Sequence, residues 1–229
     1  MKYQVVATGV RGLMAAGRLL PPSAVARMRQ AMGLVETAAW LDREDGGRPA
    51  LVRERESLFE IALPHLEEAQ QPLYLEFGVA AGESMRWWSS HLRNPAAHFI
   101  GFDSFEGLPH DWQAWQGNFR KGHFAQDRLP HFADERVQLV KGWFDDTLPD
   151  FVAPPHDALV VTLDADLYSS TALVLSRIVA LLTPGTLLYV DDLPMDDGAA
   201  LADFGSMHNI RFDAVAMEAH GFNWLFRVR

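Results

Sequence analysis

From residue 72 onward the chain alternates short apolar runs with stretches whose apolar positions recur every three or four residues. The runs are LYLEFGV (73–79), HFIGFD (98–103), VQLVKGW (137–143), ALVVTLDA (158–165) and TLLYVDD (186–192). Helical spacing appears at 83–92, 167–182 and 196–207. Strand followed by helix, repeated, predicts a parallel sheet covered on both faces. The last two runs, IRFDAVAM (210–217) and FNWLFRVR (222–229), are separated only by EAHG. That link is too short for a parallel crossover, so these runs are expected to form an antiparallel hairpin.

Before residue 72 the pattern differs. Residues 23–44 open with Ser23, able to cap a helix, and space Val25, Met28, Met32, Val35 and Ala39 three or four apart. GGRP (46–49) breaks the chain, and 50–70 predicts a second helix, bent or ended near Pro64. After the first few positions no strand-like alternation is visible here. The division expected is an N-terminal helical extension or cap over 1–70 and a main domain over 71–229. The extension either packs on that domain or serves as a substrate lid, and its apolar helices would suit a homodimer interface. Residues 104–135 make a long connection of the kind that often forms a lid. Trp112, Trp115 and Phe119 would cover an acceptor or dock the loop.

Composition narrows the class. In 229 residues, 48% hydrophobic and 22% charged describe an ordinary soluble globular chain. A net charge of −10 argues against a nucleic-acid surface. Lysine occurs only at Lys2, Lys121 and Lys141, so a lysine base has few addresses. The absence of cysteine removes disulfides, thiolate nucleophiles and Cys-type zinc sites, and is compatible with a cytoplasmic location. Arg11 and Arg18 interrupt the apolar N-terminal stretch (5–20), so no membrane span is expected.

Chemistry collects at the expected strand ends, where α/β sheets bind ligands. The first strand runs Glu76-Phe77-Gly78-Val79-Ala80-Ala81-Gly82. Small residues let a ligand approach the backbone, although such a turn is often merely tight. It lacks the G-x-G-x-x-G spacing of a pyrophosphate cradle, and Glu76 suits positive charge better than phosphate. Asp103 ends the second strand, placed to accept from ribose hydroxyls or to cap a turn. Trp143 and Phe144 after the third could flank an adenine, with Asp145 accepting from its amino group, or could be core and cap. Asp164 and Asp166 close the fourth strand, Asp191 and Asp192 the fifth. Four neighbouring carboxylates without a local cation point to a hard divalent ion such as Mg²⁺, unless Asp166 caps a helix and Asp192 faces solvent.

A sheet ending in an antiparallel hairpin is the topology of class I S-adenosylmethionine (SAM) methyltransferases. LEFGVAAGES, FIGFDSFEGLP, VKGWFDDTLP, LDADLYSST and LYVDD together resemble the macrocin O-methyltransferase family of that class, over about residues 72–192. The resemblance implies a Rossmann-like α/β fold, a SAM cofactor and Mg²⁺ chelating the hydroxyls of a small-molecule acceptor. It implies that Glu76, Phe77, Gly78, Ala80, Gly82 and Ser84 surround the methionine end of SAM. Asp103 and Ser104 would hold the ribose, and Phe144 and Asp145 would border the adenine. Asp164, Asp191 and Asp192 would ligate the metal, with Asp164 also beside the cofactor and the leading candidate for general base. Catechol-type relatives carry a lysine base where this chain has Leu167, and Leu193 and Pro194 replace the aromatic residue usual after the paired acids.

The expected function is Mg²⁺-assisted O-methylation of a hydroxylated small molecule, such as a sugar on a natural product. Two alternatives stay open: a metal-independent methyltransferase with His123, His131 or His220 as base, and a non-catalytic SAM- or nucleoside-binding protein. An NAD-linked oxidoreductase fits the first turn and the final hairpin less well.

Overall fold

The computed structural model describes residues 14–15, 17–43, 48–114 and 117–229. The first part of the N-terminal apolar stretch, the first half of the 46–49 break and Trp115 lie outside these residues. One sheet of eight strands organises the molecule, in the order β1-β9-β10-β8-β7-β2-β3-β6. These are β1 (Ala50–Val52), β2 (Pro72–Phe77), β3 (His98–Asp103), β6 (Val137–Lys141), β7 (Ala158–Leu163), β8 (Leu187–Val190), β9 (Phe212–Glu218) and β10 (Trp224–Val228). Only β10 runs against its neighbours, β8 and β9, so the chain does end in the hairpin its short link required.

Strand alternation divides the core between two faces. Leu73, Leu75 and Phe77 of β2 point to one face, with Val161, Leu163, Leu188 and Val190. That face is covered by α1 (Pro22–Arg43) through Trp40, by α5 (Tyr168–Ile178) and by α6 (Asp196–His208). Tyr74 and its neighbours Val160 and Tyr189 face the other way, under α2 (Arg55–Glu67) and α3 (Glu83–His91). Phe59 of α2 lies at 5.0 Å from Tyr189 and 5.7 Å from Trp88. A four-residue helix, α4 (Phe144–Thr147), follows β6, and a two-stranded hairpin, β4 (Trp112–Ala114) with β5 (Gly117–Phe119), lies within the long connection.

One expectation before residue 72 needs correction. The second helix starts at Arg55, because Ala50–Val52 joins the sheet edge beside β9. Three residues are too few to show an alternating pattern, and pairing alone defines the strand. The helix ends at Glu67, near Pro64 as expected, with buried Leu66 anchoring its last turn. Along α1, Met28, Met32 and Val35 stay exposed. Among the described residues no helix is long and apolar enough to cross a membrane.

Candidate functional site

β2 is the first strand of the parallel core, and the chain builds outward from it through β3 and β6. It then returns to β7 on the opposite side and continues to β8. Strand ends diverge at such a switch, leaving a crevice. A cavity of about 370 Å³ opens there. Gly78 and Ala80 line it after β2, Asp103 and Ser104 after β3, and Trp143 and Phe144 after β6. Asp164, Asp166, Asp191 and Asp192 line it beyond β7 and β8.

The turn after β2 has no room for a side chain at its first residue. Gly78 has φ 95°, and a Cβ there would run into the Asp164 carbonyl. Asp103 clamps this turn from the adjacent strand. Its Oδ2 accepts from the amides of Val79 and Ala80, both at 2.8 Å, and its Oδ1 accepts from the Phe105 amide at 2.6 Å.

A buried polar ladder lies behind the turn, on the face covered by α2 and α3. Glu76, Thr162 and Tyr189 are register neighbours across β2, β7 and β8. Tyr74 donates its hydroxyl to Glu76 Oε2 at 3.0 Å and lies 3.0 Å from Thr162 Oγ1. Burial pushes Glu76 up to about 8, against the Tyr74 hydrogen bond and the Arg55 charge. Arg55 also bonds Glu83, the first residue of α3, at 3.1 Å.

The acids beyond β7 and β8 are held unlike ordinary surface carboxylates. Burial, then the neighbouring Asp191, raises Asp164 well above the usual range. Asp191 is raised by burial too, opposed by hydrogen bonds from Tyr189 and Asp164 and by the Arg55 charge. Asp166 and Asp192 are each pushed up to about 7, by burial first and then by nearby aspartates. Both stand in left-handed backbone, at φ 62° and 45°. A fifth acid, Asp197 in the first turn of α6, is 1% exposed. It accepts from the Thr171 hydroxyl, while its Oδ2 has no partner.

Of the residues expected round a cofactor, Gly78, Ala80, Asp103, Ser104, Phe144 and Asp164 line the cavity. Glu76, Phe77 and Ser84 are buried outside the lining, Gly82 caps α3, and Asp145 is exposed on α4. Asp191 and Asp192 reach the same cavity as Asp164. Among the described residues, however, no group of three or more His, Cys, Asp or Glu side chains is arranged to hold a metal ion. Asp164 and Asp191 are turned to each other instead. In donor chemistry the three hard-oxygen groups suit Mg²⁺; in their present arrangement they do not form its ligand set. His123, His131 and His220 are exposed and lie outside the lining.

Asp166 does not cap α5, whose cap is Leu167 without any side-chain bond. Arg55 and Asp197 carry no local motif, and only packing reveals their place.

A profile described as a methyltransferase domain matches residues 75–193, just over half of the chain. The chain belongs to this methyltransferase domain family. The chain is 34% identical over 172 residues to a Streptomyces olivaceus protein, the 8-demethyl-8-(2,3-dimethoxy-alpha-L-rhamnosyl)-tetracenomycin-C 4'-O-methyltransferase, covering 66% of this chain and 64% of that one. Mycinamicin III 3''-O-methyltransferase of Micromonospora griseorubida is 30% identical over 92 residues, 40% of this chain and 35% of the relative. The chain therefore spans less than two thirds of the length of either relative. Among solved structures, the O-methyltransferase NovP superposes with a TM-score of 0.58 at 22% identity, over 76% of this chain and 78% of that one. The calicheamicin methyltransferase CalS11 gives 0.57 at 21%, over 76% of each chain. These two likenesses establish the class I methyltransferase fold.

Proposed function

We propose that the protein is a SAM-dependent O-methyltransferase acting on a hydroxyl of a sugar-bearing small molecule. The observation that carries this is the crevice cavity, which sets a tight turn of small residues, clamped by Asp103, beside a row of carboxylates. The names of the relatives, one a methyltransferase of a rhamnosyl-tetracenomycin, support a sugar hydroxyl as acceptor. The motifs shared with the macrocin O-methyltransferase family support the same class.

In this reading the backbone at Gly78 and Ala80 meets the methionine end of SAM, and Glu76, Phe77, Gly82 and Ser84 shape that turn from behind. Asp103 spends three acceptor positions on backbone amides and keeps one for a ribose hydroxyl, beside Ser104. Trp143 and Phe144 flank the adenine, within reach of Asp145. Asp166 takes the acceptor proton, because it lines the cavity at about 7, whereas Asp164, which lines the same cavity, is raised well above the usual range by burial and by Asp191. The acceptor oxygen bonds to the methyl carbon as the carbon–sulfur bond breaks, and sulfonium becomes thioether. The fold's contribution is alignment of the three atoms. We propose residues 71–229 as the methyltransferase unit, with α1, β1 and α2 before it as its cover.

The finer part of the proposal is the cation. Asp164, Asp191 and Asp192 are the residues that would hold Mg²⁺, which when bound lowers the pKa of a coordinated hydroxyl. Every step assigned to a side chain above stands without it. Calorimetry with S-adenosylhomocysteine (SAH) tests the cofactor: one-site binding is expected, and none at millimolar ligand sinks the reading. Turnover after thorough chelation tests the cation, with loss and recovery on adding Mg²⁺ expected.

A further inference from the structure

We propose that Phe124 is a specificity-determining residue of the methyl transfer, its ring stacking on the carbon–hydrogen face of the ring that carries the acceptor hydroxyl. This rests on the proposed O-methyltransferase reading and adds to it a contact outside the acid row.

Phe124 stands in left-handed backbone, at φ 69°. That region suits glycine, and a bulky side chain persists there when its surroundings hold it. Here two segments of the long connection are laced together around it. The Leu108 amide donates to the His123 carbonyl and the Gly122 amide to the Leu108 carbonyl, both at 2.9 Å. The Gln126 amide donates to the Phe105 carbonyl at 3.0 Å, and the Gln126 side chain to the Phe124 carbonyl at 2.9 Å. At Gly107 a Cβ would run into the His123 carbonyl. The ring so held is 43% exposed and lines the cavity. An aromatic left this open returns little burial to the fold for its strained backbone. A ligand in the cavity would complete that burial.

Position selects the ligand. Phe124 lies 5.5 Å from Phe119, which stacks 5.5 Å from Trp112. Trp112, only 3% exposed, shares an apolar cluster with Leu167, the residue after Asp166. All three rings line the cavity, so the aromatic row runs from beside the proposed base to the open side. Trp143 and Phe144, proposed to flank the adenine, come instead from the end of β6. The acceptor is therefore the ligand that meets Phe124. An aromatic face is negative, and the carbon-bound hydrogens of an oxygen-rich ring are polarised positive, so the two faces match. The hydroxyl edge of the same ring is left to the acids, with or without a cation on them.

The test uses the whole protein saturated with SAH in the presence of Mg²⁺, titrated with methyl α-L-rhamnoside and with thymidine diphosphate rhamnose. Wild type is expected to bind at least one of them. Phe124→Leu keeps an apolar side chain without the aromatic face, and should weaken that ligand about tenfold while SAH affinity holds. Phe124→Tyr keeps the face and should bind within about threefold of wild type. Phe124→Gly suits the left-handed backbone and removes the ring. Its sugar binding should fall at least as far, while its thermal midpoint drops by no more than about 4 °C. Wild-type sugar binding in Phe124→Leu overturns the proposal, and so does an equal loss of SAH affinity or binding of neither sugar. A larger midpoint drop in Phe124→Gly overturns it too, because the ring would then serve the fold. Failure of the O-methyltransferase reading shows separately, as no SAH binding before any sugar is added.

Discussion

Asp166 gives α5 no cap, stands in strained left-handed backbone and faces the cavity, so its place is better explained by chemistry than by folding. A carboxylate held near 7 is matched to accepting a proton at neutral pH. Asp166→Asn should lower kcat by roughly 10²–10⁴ while SAH affinity stays unchanged. The wild-type kcat/KM should rise with pH and level off above about 7 as Asp166 loses its proton. A variant with near-normal kcat would remove Asp166 from the reaction. Asp103 makes a second case. Its position at a strand end was legible in the sequence, but its grip on the Val79 and Ala80 amides was not, since that depends on how β2 and β3 sit side by side. Asp103→Ala releases three backbone amides as well as the proposed ribose contact, so SAH binding should weaken by about tenfold or more in calorimetry.

At the level of elements, the period of the apolar positions located every long strand and helix after residue 72, because burial on both sheet faces demands such runs. The hairpin was legible from loop length alone. The misses are short elements held by partners distant in sequence: β1 beside β9, and the β4–β5 pair docked on Leu108 and Leu167. The grip of α1 on the site was equally hidden. Gly33 packs so closely that a Cβ would run into the Pro194 carbonyl, two residues after Asp192. Leu193 is held from the other side, its amide bonding the Phe222 carbonyl at 2.9 Å. Gly33→Ala must therefore push α1 or the 193–195 segment aside. A loss of about 1–3 kcal/mol is expected in denaturant unfolding, as for other overpacked contacts. Val35→Ala, on the exposed side of the same helix, should stay within about 0.5 kcal/mol. Equal effects from both would mean that the helix is not docked through Gly33.

Across the whole molecule, six buried or half-buried acids share one abnormality. Glu76 is held near 8, Asp166 and Asp192 near 7, and Asp164, Asp191 and Asp197 are raised as well, in each case by burial first. Between the ordinary carboxylate range and these values the folded protein binds protons that the unfolded chain has released. Stability must then fall as pH rises through that window. The salt-bridged Asp134 is shifted the opposite way, and its contribution is lost only as pH falls below the ordinary range. The ordinary mid-pH optimum of proteins should therefore be displaced toward the acid side. Thermal unfolding without ligand is expected to show a midpoint that drops steadily from about pH 5.5 to about pH 8.5. Glu76→Gln preserves shape and the contact with Tyr74 but cannot ionise, so its midpoint should fall less over the upper part of that range. A flat or rising wild-type midpoint would show that the acids ionise inside the fold at no cost, which would require a compensating cation at the cavity.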